Sequence, residues 1–306
     1  MGGRGVGVLF GFAIGAGVAV QGRINGALGA RLGDGVAAAA ISFGTGLVAL
    51  VIAFGCSPAL RRGLGEVRRA VALGGLRPWQ LLGGLCGAFF VASQGLTIAS
   101  IGVTAFTVAV VAGQLLSSLL VDRLGLAPNG RTAITPGRVV AAGLAIGGVL
   151  LSAGGKSIPA PAATGIPDVP ALLVVLPALA GIGLAWQQAV NGRVGAVGGP
   201  FAATLINFAV GLVALLAVTL AAAGLPDRFP TEPWLYLGGL IGVAFIALAA
   251  VAVGLIGVLL LGLTSVAGQL VAAVALDAAE GKLAPATALS CLIVLIAVFV
   301  ASRTGR

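Results

Sequence analysis

The chain has 306 residues, of which 59% are hydrophobic and only 8% charged, and it carries a formal net charge of +9. A soluble domain is roughly 45–50% apolar and about 25% charged, so this composition excludes a water-soluble globule, and its apolar bias excludes a disordered chain. Eight acids, seventeen Lys/Arg and no His leave little for acid/base or metal chemistry. An integral membrane protein follows, with no enzymatic activity and no cofactor or metal expected.

A membrane-spanning helix needs about 20 apolar residues, and the sequence offers ten such stretches. The first five run Val6–Gly29, Gly35–Gly55, Trp79–Thr97, Val103–Val121 and Pro136–Ser152. A Gly/Ser/Pro-rich stretch at residues 154–170 then reads as a linker. Five more follow at Ala171–Gly192, Phe201–Ala223, Trp234–Ala252, Ile256–Leu276 and Ala284–Ala301. Runs such as Leu235–Leu263 show no period-2 alternation, which argues against a β-barrel. The expected fold is all-α, with ten transmembrane helices.

The basic residues divide unevenly between the two sides. Arg4, Arg61, Arg62, Arg68, Arg69, Arg77, Arg123, Arg131, Arg138, Arg193, Arg303 and Arg306 fall on one side. Arg23, Arg31, Lys156, Arg228 and Lys282 fall on the other. The positive-inside rule places both termini in the cytoplasm. The +9 is therefore read as an orientation signal and a contact with anionic lipid, and no nucleic-acid role is expected. Cys56, Cys86 and Cys291 have no metal or redox spacing and read as small packing residues. Arg4 ahead of an apolar run resembles a signal peptide, but this segment has a counterpart later in the chain and is read as a retained first helix.

The chain contains an internal repeat. Gln21-Gly-Arg-Ile-Asn25-Gly aligns with Gln187-Gln-Ala-Val-Asn191-Gly, and Phe43, Gly46 and Leu47-Val-Ala-Leu50 align with Phe208, Gly211 and Leu212-Val-Ala-Leu215. Pro78-Trp79, Gly83, Gly84 and Gly87 align with Pro233-Trp234, Gly238, Gly239 and Gly242. Val111-Ala-Gly-Gln-Leu115 and Asp122 align with Val266-Ala-Gly-Gln-Leu270 and Asp277. Two units are expected, residues 1–153 and 171–306, with residues 154–170 joining them. Each holds five helices, an odd number, so the second enters the membrane from the opposite side. Inverted repeats are a recurrent plan of secondary transporters, with substrate near the midplane between the halves, and the plan implies alternating access.

These features together resemble the drug/metabolite transporter superfamily, and within it the YdcZ-type bacterial inner-membrane exporters. The likeness covers essentially the whole chain, and Val20-Gln-Gly-Arg-Ile-Asn-Gly26 and Val111-Ala-Gly-Gln-Leu-Leu116 are its most specific parts. It implies a transporter in the bacterial inner membrane but no particular substrate. The second copy reads Asp277-Ala-Ala-Glu-Gly281 where the first reads Asp122-Arg-Leu-Gly125.

Polar side chains inside spans are costly and usually face the bundle interior or a water path. Gln21 and Asn25 are spaced i, i+4 on one helix face, and Gln187 and Asn191 repeat the arrangement. The four amides either line a cavity that binds a small-molecule substrate or hydrogen-bond neighbouring helices. Gln114 and Gln269 are further substrate-contact candidates. Gln94 is ranked lower because its repeat equivalent is Ala249. Arg23 could bind an anionic group, pair with an acid, or snorkel to headgroups. Asp122 and Asp277 sit at helix C-termini, where a carboxylate is unfavourable. Each therefore needs a partner, either an Arg or backbone N–H groups, and they are candidate gating or ion-coupling residues. Recurrent Gly-x-x-x-Gly pairs suit close helix packing and would also suit a homodimer contact. The leading expectation is an exporter of a small organic metabolite or drug-like compound; the alternatives are a non-transporting membrane partner subunit or a channel.

Overall fold

The fold is that of a computed structural model, which describes residues 3–126, 136–154, 169–222, 226 and 228–304. Among the described residues it is all-helical. The helices are α1 (Gly3–Leu32), α2 (Gly35–Cys56), α3 (Pro58–Ala72), α4 (Gly83–Leu124), α5 (Pro136–Gly154), α6 (Val169–Gly198), α7 (Pro200–Ala222), α8 (Gly238–Ala279) and α9 (Pro285–Thr304). The 3-10 turns Pro78–Leu82 and Pro233–Tyr236 lead into α4 and α8. Most of the expected linker, residues 155–168, lies outside the described residues.

Local sequence sets the corners. The tight turn between α1 and α2 needs Gly33, which takes a φ of 64°, as C-terminal cap residues commonly do. Asp34 then caps α2, accepting from the backbone N–H groups of Val36 at 2.8 Å and Ala37 at 2.9 Å. Such a cap stabilises a helix by about 1 kcal/mol.

α4 and α8 each contain 42 residues, which at the helical rise is about 63 Å, twice the hydrocarbon thickness of a bilayer. α4 is broken at Gly102, with φ 80° and ψ 164°, a backbone that is essentially restricted to glycine. Residues 83 and 87 lie against Asn191 and Gln187 of α6, and after the break Val121 returns to pack with Ala185 and Ala189 of the same helix. The chain thus reverses at Gly102, and the two arms are the spans expected at Trp79–Thr97 and Val103–Val121. Both ends of α8 lie along α1: Gly238 and Gly242 face Asn25 and Gln21, while Gly268 abuts the Phe12 carbonyl. With α4 and α8 counted as two arms each, and α3 set apart, the described helical segments number ten.

α3 is an element beyond the ten expected spans. Leu60, Leu64, Val67 and Val71 recur at helical spacing, and Ser57-Pro58 is an ordinary helix start. Leu60, Val67 and Val71 pack with Phe54 and with Val194 and Ala202 of α6 and α7, while Arg62, Arg68 and Arg69 stay exposed.

The most extensive pairings join α1 to α8 and α4 to α6; α5 packs on α9, and α2 crosses α7. Outward positions on α2 and α7 carry bare aliphatics, with Ile52 at 61% and Val213 at 69% exposure, a surface suited to hydrocarbon rather than water. Gly5–Leu32, Gly35–Cys56, Pro78–Val121 and Pro200–Ala221 are each long and apolar enough to cross a membrane.

Candidate functional site

The paired amides of α1 and α6 occupy two seats, each against a glycine-rich helix start. On α1, Gln21 Nε2 donates to the Gly238 carbonyl at 2.9 Å, and Asn25 Nδ2 donates to Gln94 Oε1 at 2.7 Å. A Cβ on Gly238 would collide with Asn25 Oδ1, and one on Gly242 would lie 2.9 Å from Gln21 Nε2. On α6, Gln187 Nε2 and Asn191 Nδ2 both donate to Asn207 Oδ1, at 2.8 Å and 2.9 Å. A Cβ on Gly83 would lie 2.5 Å from Asn191 Oδ1, and one on Gly87 2.7 Å from Gln187 Nε2. The glycines are therefore sockets: only their missing side chains let the amides reach the neighbouring helix. Each interhelical hydrogen bond of this kind contributes about 1 kcal/mol. Among the described residues, Asn25 Oδ1 and Gln187 Oε1 are buried without a donor.

Asn207 and Gln94 complete the two seats. Asn207 aligns with Ser42; where the second seat draws on Asn207, the first draws on Gln94 of α4. Phe43 and Phe208 pack ring to ring at a tilt of 33°, with centroids 4.9 Å apart. Gln114 and Gln269 occupy matched positions. The backbone nitrogen of Gln114 lies 3.0 Å from where a Cβ on Gly181 would be, and that of Gln269 lies 2.6 Å from the same point on Gly15. Gln114 Nε2 also donates to Gln188 Oε1 at 3.1 Å, and Gln269 is buried.

A cavity of about 310 Å3 lies at the end of the bundle where α1, the Gly102 break, the turn before α8 and the end of α8 meet. Its polar lining is Arg23, Arg31, Asp277, Glu280 and Lys282, with Trp234 beside them. Arg23 and Asp277 were expected at a site; Arg31, Glu280, Lys282 and Trp234 were not. Gln21, Asn25, Gln187 and Asn191 do not line this cavity.

Ion pairs tie its walls together. Arg23 Nε pairs with Glu280, Arg31 pairs with Glu232, and Lys282 Nζ lies 2.9 Å from Glu280 Oε2. The hydrogen bond from Lys282, reinforced by Arg23, holds the Glu280 carboxyl below its usual range against the opposing effect of burial. Arg31 does the same for Glu232. Asp277 is buried, and its carboxylate accepts from the backbone N–H groups of Val103 at 2.9 Å and Thr104 at 2.7 Å. It thus caps the second arm of α4 from a distant helix, placing negative charge at a positive helix end. This supplies the backbone partner that its position at the end of α8 demanded. The Asp122 side chain lies outside the described residues.

At the opposite end, Arg193 donates to the carbonyls of Leu126 at 2.6 Å and Gly125 at 2.8 Å. There Gly63 of α3 packs directly on the Gly198 carbonyl.

The sequence profile of the family described as "Putative inner membrane exporter, YdcZ" matches residues 6–151 and 172–301. The chain belongs to this family. That makes it an inner-membrane protein of a transporter family, as its resemblance implied. Among solved structures, one described only as the crystal structure of a protein is similar over 98% of this chain and 96% of its own, with a TM-score of 0.54 and 22% identity. At that identity the likeness concerns fold alone. No curated protein matches the chain.

Proposed function

We propose that the protein is a secondary transporter that exports a small organic compound across the bacterial inner membrane by alternating access. In this reading residues 1–153 and 171–306 are two inverted five-helix halves that rock about the α1–α8 and α4–α6 contacts. No enzymatic step is assigned to it.

The observation that carries the reading is the reciprocity of contacts between repeat-related residues. Asn25 sits on Gly238 and Asn191 on Gly83; Gly15 meets Ser265 and Gly181 meets Val110; Gly268 meets Phe12 and Gly113 meets Ala178. Each pair is the other's counterpart in the repeat. Two equivalent interfaces of similar strength give two arrangements of similar free energy, which is what a two-state carrier needs. The twelve-to-five division of basic residues supports cytoplasmic termini, with the charged cavity on the extracytoplasmic side and α3 on the cytoplasmic surface.

Reconstituted protein should move at least one compound from a broad metabolite panel out of loaded vesicles. The absence of flux for every compound, with and without ion gradients, would overturn the exporter reading.

A further inference from the structure

The cavity at the Gly102 end has an excess of hydrogen-bond donors. Arg23, Arg31 and Lys282 each commit one donor to a carboxylate, and the rest of each guanidinium fork and of the ammonium is left over. The acceptors are already engaged: Glu280 by Arg23 and Lys282, Asp277 by two backbone N–H groups. The Arg31 side chain is 54% exposed and that of Lys282 55%, so both can turn toward a bound group at little cost. Three cations and two carboxylates line the cavity; Glu232, outside the lining, is the partner of Arg31, and Asp277 is engaged in capping the N-terminal end of an α4 arm at Val103.

We propose that this cavity binds a small organic anion through a carboxylate or phosphate group held by Arg31 and Lys282, with Arg23 at its inner wall. As the substrate class of the transporter, this rests on the exporter reading; as a binding site it stands alone. A guanidinium fork matches the planar oxygens of such a group, and a volume of about 310 Å3 admits a molecule the size of a dicarboxylic acid or a sugar phosphate. An anion leaving the cell runs down the membrane potential. Its export therefore needs no proton-carrying acid in mid-membrane, in keeping with a sequence that has no His and no acid inside the ten expected spans. The same oxyanion chemistry is offered by a phospholipid headgroup, and the test separates the two sources.

The test is thermal unfolding of the purified full-length protein in a neutral detergent. Succinate, inorganic phosphate, erythritol and putrescine are added separately at constant ionic strength. A ligand that binds the native state raises the melting temperature in a saturable way. Succinate or phosphate should do so, while erythritol and putrescine should not. Arg31→Ala and Lys282→Ala each remove one exposed ion pair, so they should lower the unliganded melting temperature only slightly and weaken the anion effect about tenfold each, the loss of one charge-assisted contact. No shift with either anion, an equal shift with putrescine, or a full shift in both variants would overturn the proposal. In nanodiscs, a succinate effect that persists in phosphatidylglycerol supports a solute site; one abolished by phosphatidylglycerol but kept in phosphatidylcholine assigns the cavity to headgroups and overturns the solute site. Anion binding without flux leaves the site standing and counts against the exporter reading; flux of a neutral compound without anion binding does the reverse.

Discussion

The rings of Phe43 of α2 and Phe208 of α7 pack at a tilt of 33° with centroids 4.9 Å apart, and each ring fills the space that a side chain would need on the other's helix. A Cβ on Gly211 would collide with the Phe43 ring, and one on Gly46 with the Phe208 ring. The two phenylalanines are repeat counterparts, as are the two glycines, so a single crossing uses one device twice. Gly46→Ala and Gly211→Ala should each destabilise the protein by about 1–3 kcal/mol through overpacking. Phe208→Ala should relieve Gly46→Ala but not Gly211→Ala. Melting temperatures of the single and double variants check this; equal relief of both would show that the contacts are not ring-specific.

Asn207 accepts from both Gln187 and Asn191, so its loss strands two donors at once. Asn207→Ala should therefore cost more than either Gln187→Ala or Asn191→Ala, by about 1 kcal/mol. Asn25→Ala should cost about as much as Gln94→Ala, because each removes the same single bond. A stability ranking of the variants in one detergent is sufficient, and a neutral Asn207→Ala would contradict the seat described for α6.

Asp277 fastens the second arm of α4 to the end of α8. Asp277→Ala leaves the N–H groups of Val103 and Thr104 without their acceptor, at a cost of about 1–3 kcal/mol. Asp277→Asn keeps one carbonyl acceptor and should cost less. Hydrogen exchange at residues 103 and 104 is the readout: faster exchange in Asp277→Ala than in Asp277→Asn is expected, and unchanged exchange in both would contradict the cap.

The carboxyls of Glu232 and Glu280 are both held below their ordinary range by cationic partners. A lowered value in the folded state means that the pairs contribute stability above the unfolded carboxyl value of about 4.3, and that this contribution fades as pH falls through the lower folded value. Melting temperature should accordingly be insensitive to these groups between about pH 6 and 8 and fall only in more acid solution. Glu280→Gln should flatten part of that acid limb. A Glu280-dependent transition near neutrality would contradict the pairing.

Much of this architecture is legible in the sequence because membrane spans are long and apolar and the repeat supplies its own alignment. The Gln21/Asn25 and Gln187/Asn191 pairs, and the glycines at 83, 87, 238 and 242, stand out because they recur, and the structure seats the first set on the second. Asn207 and Gln94 do not recur: their counterparts are Ser42 and Ala249, so a search by symmetry passes over them. The cavity is hidden for another reason. Arg31 and Glu232 are 201 residues apart, and Arg23 and Glu280 are 257 apart, and no local pattern announces partners that meet only when the bundle closes. α3 carries an ordinary amphipathic signal, masked by the stronger reading of its arginines as a topology marker.

The central claim is a two-state bundle whose two ends open in alternation. Double electron–electron resonance tests it without knowledge of the substrate, using a variant whose native cysteines are replaced. One spin-label pair, at Leu32 and Phe229, reports on the cavity end; the other, at Leu124 and Val197, reports on the Arg193 end. The account predicts two distance populations for each pair, with succinate or a change of lipid lengthening one pair as it shortens the other. Single, unmoving distances at both ends under every condition would contradict it.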